Sequence, residues 1–149
     1  MLVLGLVGCS KQYSSSSVKL KQEYVETFSL AFATNADDIT KVSIDLYNSA
    51  LANETPKYDT FHSEYEKIDK LVPKNSSEKD FQDSIHKFAN YYTMLSCDVA
   101  LLKGYKDSRD DGTMGKVEYE ETTKRYEISK AENLKYMKAD FKNIMKYYK

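Results

Sequence analysis

The sequence predicts an all-α fold, an antiparallel up-down four-helix bundle that occupies residues 18–149. Apolar residues recur at three- and four-residue spacing in four successive segments, which is the pattern of helices with one buried face. The 149 residues include only five Gly and two Pro, too few for the turns of an all-β fold or of a Rossmann-type enzyme. Short polar stretches separate the four segments, and helices joined by short loops pack antiparallel to each other.

The first predicted helix covers residues 18–53 and measures roughly 50 Å at 1.5 Å per residue. Its apolar face consists of Leu20, Tyr24, Phe28, Phe32, Ile39, Val42, Leu46 and Ala50. Residues 35–38 are the expected place for any break, since Asn and Asp favour helix caps over interiors. Pro56 follows the helix and is well placed to start the next one.

The second and third helices are predicted to form a hairpin around residue 74. The second helix carries Tyr58, Phe61, Tyr65, Ile68 and Val72 on one face and stops at Pro73. Ser76 or Ser77 is the predicted N-cap of the third helix. The buried face of that helix is predicted to consist of Phe81, Ile85, Phe88, Tyr92, Leu95, Val99 and Leu102.

Residues 107–115 form the clearest turn in the sequence, and the fourth helix is predicted from Lys116 to Tyr147. Its apolar face contains Leu134, Met137, Phe141, Ile144 and Tyr148. The half of this helix before residue 130 has few apolar residues and is expected to be more exposed.

The charge of the chain argues against a nucleic-acid partner. Twenty-two Lys and Arg residues face 23 Asp and Glu residues, which gives a formal net charge of −1. Proteins that bind nucleic acid need an excess of basic residues for the phosphates.

The first residues of the sequence form an apolar run that ends in a cysteine. Residues 2–7 are almost wholly apolar, and they are followed by Gly8 and Cys9. The sequence Leu6-Val7-Gly8-Cys9 resembles the lipobox of bacterial lipoprotein signal peptides. The resemblance implies cleavage before Cys9 and diacylation of the Cys9 sulfur, with palmitate-like acyl chains as the lipid anchor. Because no Lys or Arg precedes the apolar run, we expect the natural signal peptide to begin further upstream. The alternative is a buried N-terminal strand with an incidental cysteine.

This resemblance divides the chain into three parts: a truncated signal peptide over residues 1–8, a Ser-rich tether over residues 9–17, and the helical domain over residues 18–149. It places the protein at the extracytoplasmic face of the cell membrane. With Cys9 acylated, Cys97 has no disulfide partner and is predicted to be a small core residue. The long first helix, followed by Pro56 and His62, is similar to small uncharacterised helical lipoprotein domains, a likeness that implies no activity.

Two Asp-x-x-His pairs are candidate metal ligands. Asp59 precedes His62 and Asp83 precedes His86, and this spacing puts each Asp and His on one helix face. Both histidines lie twelve residues from the turn at residue 74, so an antiparallel hairpin would bring them to one level. Di-metal bundles use a related Glu-x-x-His motif. Both pairs flank the apolar faces of their helices, however, and surface histidines with acidic neighbours are the alternative.

The turn after the third helix partly matches a calcium-binding loop. Asp107, Asp111 and Glu118 fall on positions 1, 5 and 12 of an EF-hand loop, and Gly112 falls on position 6. Position 3 is Arg109, which would put a cation where a ligand oxygen is needed. The alternative is an ordinary solvated turn.

The C-terminal helix carries a basic stripe of Lys135, Lys138, Lys142 and Lys146, with Asp140 as the acidic residue among them. In an up-down bundle of four helices the C-terminus returns to the end where the chain starts, which is the end bearing the lipid. The stripe would then face anionic headgroups, or it is an ordinary solvated face.

These features predict a membrane-anchored binding or interaction module of unknown ligand, with no enzymatic activity and no cofactor. Its partners would be the lipid bilayer, through acylated Cys9, and an envelope protein or a peptide. Thirteen Tyr residues, some of them necessarily exposed, would suit such a partner. The alternative function is a metal-binding helical bundle that uses the two Asp-x-x-His pairs.

Overall fold

Five α-helices make up most of the protein in a computed structural model that describes residues 13–52, 54 and 58–149. The helices are α1 (Gln22–Val25), α2 (Leu30–Leu51), α3 (Tyr58–Asp69), α4 (Ser76–Asp110) and α5 (Lys116–Met145), and a single 3₁₀ turn, Ser15–Ser17, precedes them. The described residues contain no strand, so the all-α prediction is confirmed. None of these helices is long and apolar enough to cross a membrane.

The prediction of one helix over residues 18–53 is wrong, because the chain turns between α1 and α2. Ser29 is the N-cap of α2 with an extended backbone, and the preceding Phe28 turns its ring into the core. Residues 35–38 do not break the helix. The side chain of Asn35 donates to the carbonyl of Ala31 at 2.7 Å, which keeps its polar group occupied inside the helix.

The start of α4 is capped by Asn75, one residue before the predicted Ser76 or Ser77. The Asn75 side chain accepts a hydrogen bond from the backbone N–H of Glu78 at 2.9 Å. The helix continues through Asp110, so the predicted turn over residues 107–115 begins four residues later than expected, at Asp111. Helix α5 starts at Lys116 as predicted.

Helices α3 and α4 pack antiparallel. The rings of Phe61 and Phe88 lie 5.9 Å apart, and further along α4 the rings of Tyr58 and Tyr92 also lie 5.9 Å apart. At the other end, the amide of Gln82 donates to the carbonyl of Ile68 at 2.8 Å. Residues of α3 and α4 thus pair in opposite chain order, as the predicted hairpin requires.

Aromatic rings join α2 to α5. Tyr47 stacks on Phe141 with centroids 3.9 Å apart, and Phe28, just before α2, packs against Tyr147 at 5.5 Å. Phe28 also contacts Phe32 and Phe81, which brings the start of α4 into the same aromatic core. Burial of these rings is the main source of stability for the helices.

Only part of the α4–α5 hairpin belongs to this core. The last buried residue of α4 is Asp98 and the first buried residue of α5 is Asn133. We call residues 99–132 the arm and the remaining helical residues the body. Twelve residues of α4 lie beyond Asp98, so the arm extends about 18 Å at 1.5 Å per residue. The expected exposure of the first half of α5 is confirmed, since Val117 and Ile128 are 68% and 55% exposed.

The two described ends of the chain lie side by side. The N–H of Lys21 donates to the carbonyl of Tyr147, and the N–H of Lys149 donates to the carbonyl of Lys19, both at 2.9 Å. Earlier in the chain, the Tyr13 ring packs 5.2 Å from Phe141. The described part of the predicted tether is therefore docked on the body. Cys9 and the lipobox lie outside the described residues.

Candidate functional site

A cavity of about 430 Å³ opens where the arm leaves the body. Its walls come from the end of α2 and the residue at position 54, the start of α3, the middle of α4 and the middle of α5. The lining residues are Ala50, Glu54, Tyr58, Tyr92, Leu95, Ser96, Val99, Ala100, Lys103, Lys130 and Leu134. We call this cavity the junction pocket. Its volume lies within the range of small-molecule sites.

Helical spacing brings one face of α4 to the junction pocket. Tyr92, Leu95, Val99 and Lys103 follow each other at intervals of three or four residues, so they form one continuous stripe. In the body, Tyr92 at the start of this stripe stacks on Tyr58 of α3. In the arm α5 packs against α4, but α2 and α3 do not extend as far, and the stripe becomes the pocket wall.

Two tyrosines form an aromatic wall of the junction pocket. The rings of Tyr58 and Tyr92 are parallel within 2°, with centroids 5.9 Å apart. Tyr92 is 1% exposed, and its hydroxyl lies beside the Ser96 side chain, which also lines the pocket. Burial raises the pKa of Tyr92, so this hydroxyl stays protonated and can donate a hydrogen bond.

Three charged side chains line the pocket: Glu54, Lys103 and Lys130. Lys103 and Glu54 are exposed and Lys130 is half-buried. None of the three forms a salt bridge within the described part of the chain. The charged part of the pocket therefore carries a net positive charge.

A buried polar cluster fixes α4 and α5 next to the junction pocket. A carboxylate oxygen of Asp98 accepts hydrogen bonds from the Ser129 hydroxyl and the Asn133 amide, both at 2.8 Å. Polar groups buried between two helices select one register, because any slip would leave them without partners. The cluster thus sets the position of Val99 relative to Lys130.

Three of the four side chains in the two Asp-x-x-His pairs contact charged residues outside the pairs. The Asp83 carboxylate binds Lys79 at 2.9 Å, and this hydrogen bond lowers the pKa of Asp83. His86 lies 2.8 Å from Asp69 of the neighbouring helix. His62 lies 3.3 Å from Glu66, one turn along α3, and Asp59 forms no ion pair with another described residue. Among the described residues, no three His, Cys, Asp or Glu side chains come together as a metal-ligand group.

The residues matched to a calcium loop are spread over two helices and a short turn. Asp107 belongs to α4 and Glu118 to α5. Between the helices, Asp111 accepts hydrogen bonds from the backbone N–H and the hydroxyl of Thr113 at 2.9 and 2.7 Å. These bonds lower the pKa of Asp111, and Gly112 completes the turn with φ at +79°.

The basic stripe is exposed along its whole length: Lys135, Lys138, Lys142 and Lys146 all face solvent and form no salt bridge within the described residues. Asp140 points away from them and is only 8% exposed. Burial raises the pKa of the Asp140 carboxyl, although Lys87 of α4 opposes this effect. The stripe thus has no acidic side chain of its own to neutralise it at the surface.

Cys97 and several tyrosines differ from one another in how exposed they are. Cys97 is exposed, so the prediction that it is a core residue is wrong: it lies on the outer side of α4, one residue before the buried Asp98. Tyr91 stacks on Tyr136 at the surface with centroids 5.1 Å apart, whereas Tyr148 is buried.

Sequence reasoning did not find the junction pocket. Tyr92, Leu95 and Val99 were expected to be ordinary core residues, because their spacing is that of any buried helix face. The available signals were two alanines, Ala50 and Ala100, which leave space where larger side chains would fill it. Comparison of the chain with protein-family models, with curated proteins and with solved structures found no match.

Proposed function

We propose that the chain is a bacterial lipoprotein, anchored at the extracytoplasmic face of the cell membrane by acylated Cys9, whose helical domain is a binding module without enzymatic activity. The sequence Leu6-Val7-Gly8-Cys9 supports the anchor. The junction pocket is the observation that carries the binding role, since it is a preformed, largely apolar cavity with a few polar groups.

The proposed architecture of the module is an antiparallel up-down four-helix bundle of α2, α3, α4 and α5. Contacts between pairs of helices support this architecture. Helix α3 pairs with α4 in opposite chain order, and both α2 and α4 pack against α5. In such a bundle the pocket forms at the point where α4 and α5 extend beyond the shorter helices α2 and α3.

The docked N-terminal segment supports an orientation at the membrane. Three residues lie between Cys9 and Tyr13, whose ring packs on Phe141, so the Cα atoms of Cys9 and Tyr13 are at most about 14 Å apart. An anchor of this length keeps the α5 side of the body near the bilayer. Lys142 adjoins Phe141, and the exposed stripe from Lys135 to Lys146 would face anionic headgroups, at about 1 kcal/mol for each Lys close to the surface.

Fractionation of cells that express the full gene tests the anchor. We expect the wild type in the membrane fraction with the mass of a diacylglyceryl group, and Cys9→Ser in the soluble fraction. Cys97→Ser is the matched control and should remain at the membrane. A soluble, unmodified wild type contradicts the proposal.

Charge substitution tests the orientation. We expect Lys135→Gln and Lys142→Gln, combined, to weaken vesicle binding of the unacylated protein at low salt, when the vesicles contain anionic lipid. Lys116→Gln and Lys124→Gln in the arm form the matched control. Equal loss from the two pairs would contradict the assigned orientation.

A further inference from the structure

We propose that the junction pocket binds a small amphipathic anion, an apolar chain that ends in a carboxylate. This inference rests on the proposed binding role and names the chemical class of its ligand. It follows from the apolar wall of the pocket and the unpaired lysines that line it.

The apolar residues that line the pocket favour a ligand with a hydrocarbon chain. Leu95, Val99 and Leu134 line the cavity together with the alanines at positions 50 and 100 and the ring of Tyr58. Val99 is 37% exposed and Tyr58 is also 37% exposed, although the spacing of both residues is that of a buried helix face. A ligand chain in the cavity would cover this apolar surface and remove it from water.

The two lysines that line the pocket favour an anionic ligand. Lys103 and Lys130 line the pocket, one from each helix of the arm, and Glu54 is the single acidic residue of the lining. The neighbouring Asp98 forms no salt bridge with these lysines in the described part of the chain, and one of its carboxylate oxygens accepts from Ser129 and Asn133. A carboxylate between the two lysines would form charge-assisted hydrogen bonds with both of them.

Calorimetric titration of the full chain carrying Cys9→Ser, which removes any acyl group of its own, tests the inference. The probes are dodecanoate, dodecanol and dodecyltrimethylammonium, each below its micelle concentration. We expect saturable binding of one dodecanoate per chain and weaker binding of the alcohol and the cation. No saturable binding of dodecanoate, or equal binding of all three probes, would overturn the inference.

Substitutions locate the site. We expect Lys103→Gln and Lys130→Gln each to weaken dodecanoate binding by about threefold, with Lys124→Gln in the arm as the unaffected control. Ala100→Phe, which fills the cavity from an exposed position, should abolish binding, whereas the exposed Ala139→Phe should not. Unchanged helical circular dichroism shows that each variant is folded. Binding that survives Ala100→Phe places the ligand elsewhere and overturns the inference.

The two proposals fail in different ways. Loss of the anchor is seen in cell fractionation, which does not depend on the junction pocket. Binding of the alcohol and the cation as tightly as dodecanoate, blocked by Ala100→Phe, would keep the pocket as a binding site and overturn the anionic ligand class alone.

Discussion

The carboxylate of Glu78 accepts a hydrogen bond from the backbone N–H of Ser29 at 2.7 Å, across 49 residues of sequence. Its other oxygen accepts from the backbone N–H of Lys74. Glu78 is completely buried, and the side chain of its capping partner Asn75 reaches the carbonyl of Thr27 at 2.9 Å. One side chain therefore joins the starts of α2 and α4 and holds the turn that the sequence did not predict.

Replacing Glu78 with Gln should destabilise the protein by about 2 kcal/mol, because hydrogen bonds to a buried charged group contribute more than neutral ones. The measurement is urea unfolding followed by circular dichroism. Glu121→Gln, on the exposed surface of the arm, is the control and should change the unfolding free energy by less than about 0.5 kcal/mol. Equal stability of the two variants would show that Glu78 does not hold the turn.

Titration of the Glu78 carboxylate should make the stability of the protein depend on pH. Burial acts to raise the pKa of Glu78, but hydrogen bonds from the backbone N–H groups of Lys74 and Ser29 outweigh it and lower the pKa below its usual 4.5. A lowered pKa in the folded state means that the stabilisation is complete above pH 4.5 and is lost as the pH falls through the folded value. Unfolding curves between neutral and acidic pH should show this loss in the wild type. The Glu78→Gln curve should lack it; parallel curves would contradict the assignment.

The contribution of Asp140 to the pH dependence of stability should have the opposite sign to that of Glu78. Burial raises its pKa, so the charged form costs stability at neutral pH and the cost vanishes as the pH falls to the usual 3.8. We expect Asp140→Asn to stabilise the protein at neutral pH, by about 1 kcal/mol, the low end for a buried polar group without a partner. Asp45→Asn on the exposed face of α2 is the control. A variant that is less stable than the wild type at pH 7 would show that the contact with Lys87 outweighs burial.

The arm should open without unfolding of the body. None of its residues is buried, so backbone amides over residues 99–132 should exchange with deuterium well before those of α2. Asp98→Ala should accelerate exchange in the arm further and lower global stability by about 2 kcal/mol, because Ser129 and Asn133 lose their shared acceptor. Asp110→Ala at the tip is the control. Equal protection of arm and body would contradict the division made at residue 98.

Cys97 should react with a thiol reagent in the folded protein. It is exposed on α4, so in a Cys9→Ser background the native and the urea-unfolded chains should react at rates within about tenfold of each other. Reaction of Cys97 that begins only when the protein unfolds would show that the residue is buried after all.

The sequence was sufficient for the helices whose boundaries depend on nearby residues. Helix α5 starts at Lys116 directly after the turn at Gly112, and α4 follows its cap at Asn75 within one residue of the prediction. The break between α1 and α2 could not be predicted in this way. It depends on Ser29 meeting Glu78, and a hydrogen bond between residues so far apart leaves no local pattern.

The site was less predictable than the fold for a related reason. Spacing correctly placed each Asp and His of the two pairs on one helix face, but it gave no information about competing partners. Asp69 of α3 lies beside His86, and Lys79 binds Asp83. The junction pocket exists because α4 and α5 are longer than α2 and α3, and helix length relative to a partner is a property of the assembled fold.

The pairing of Lys19 and Lys21 with Lys149 and Tyr147 also determines when the protein can finish folding. Tyr147 and Lys149 follow Lys21 by more than 120 residues, so they leave the ribosome long after it. At about 5–20 residues per second, the segment around Lys21 waits on the order of ten seconds for them. Until α5 has been made, the segment around Lys21 lacks these two hydrogen-bond partners and remains accessible to any enzyme that acts on it.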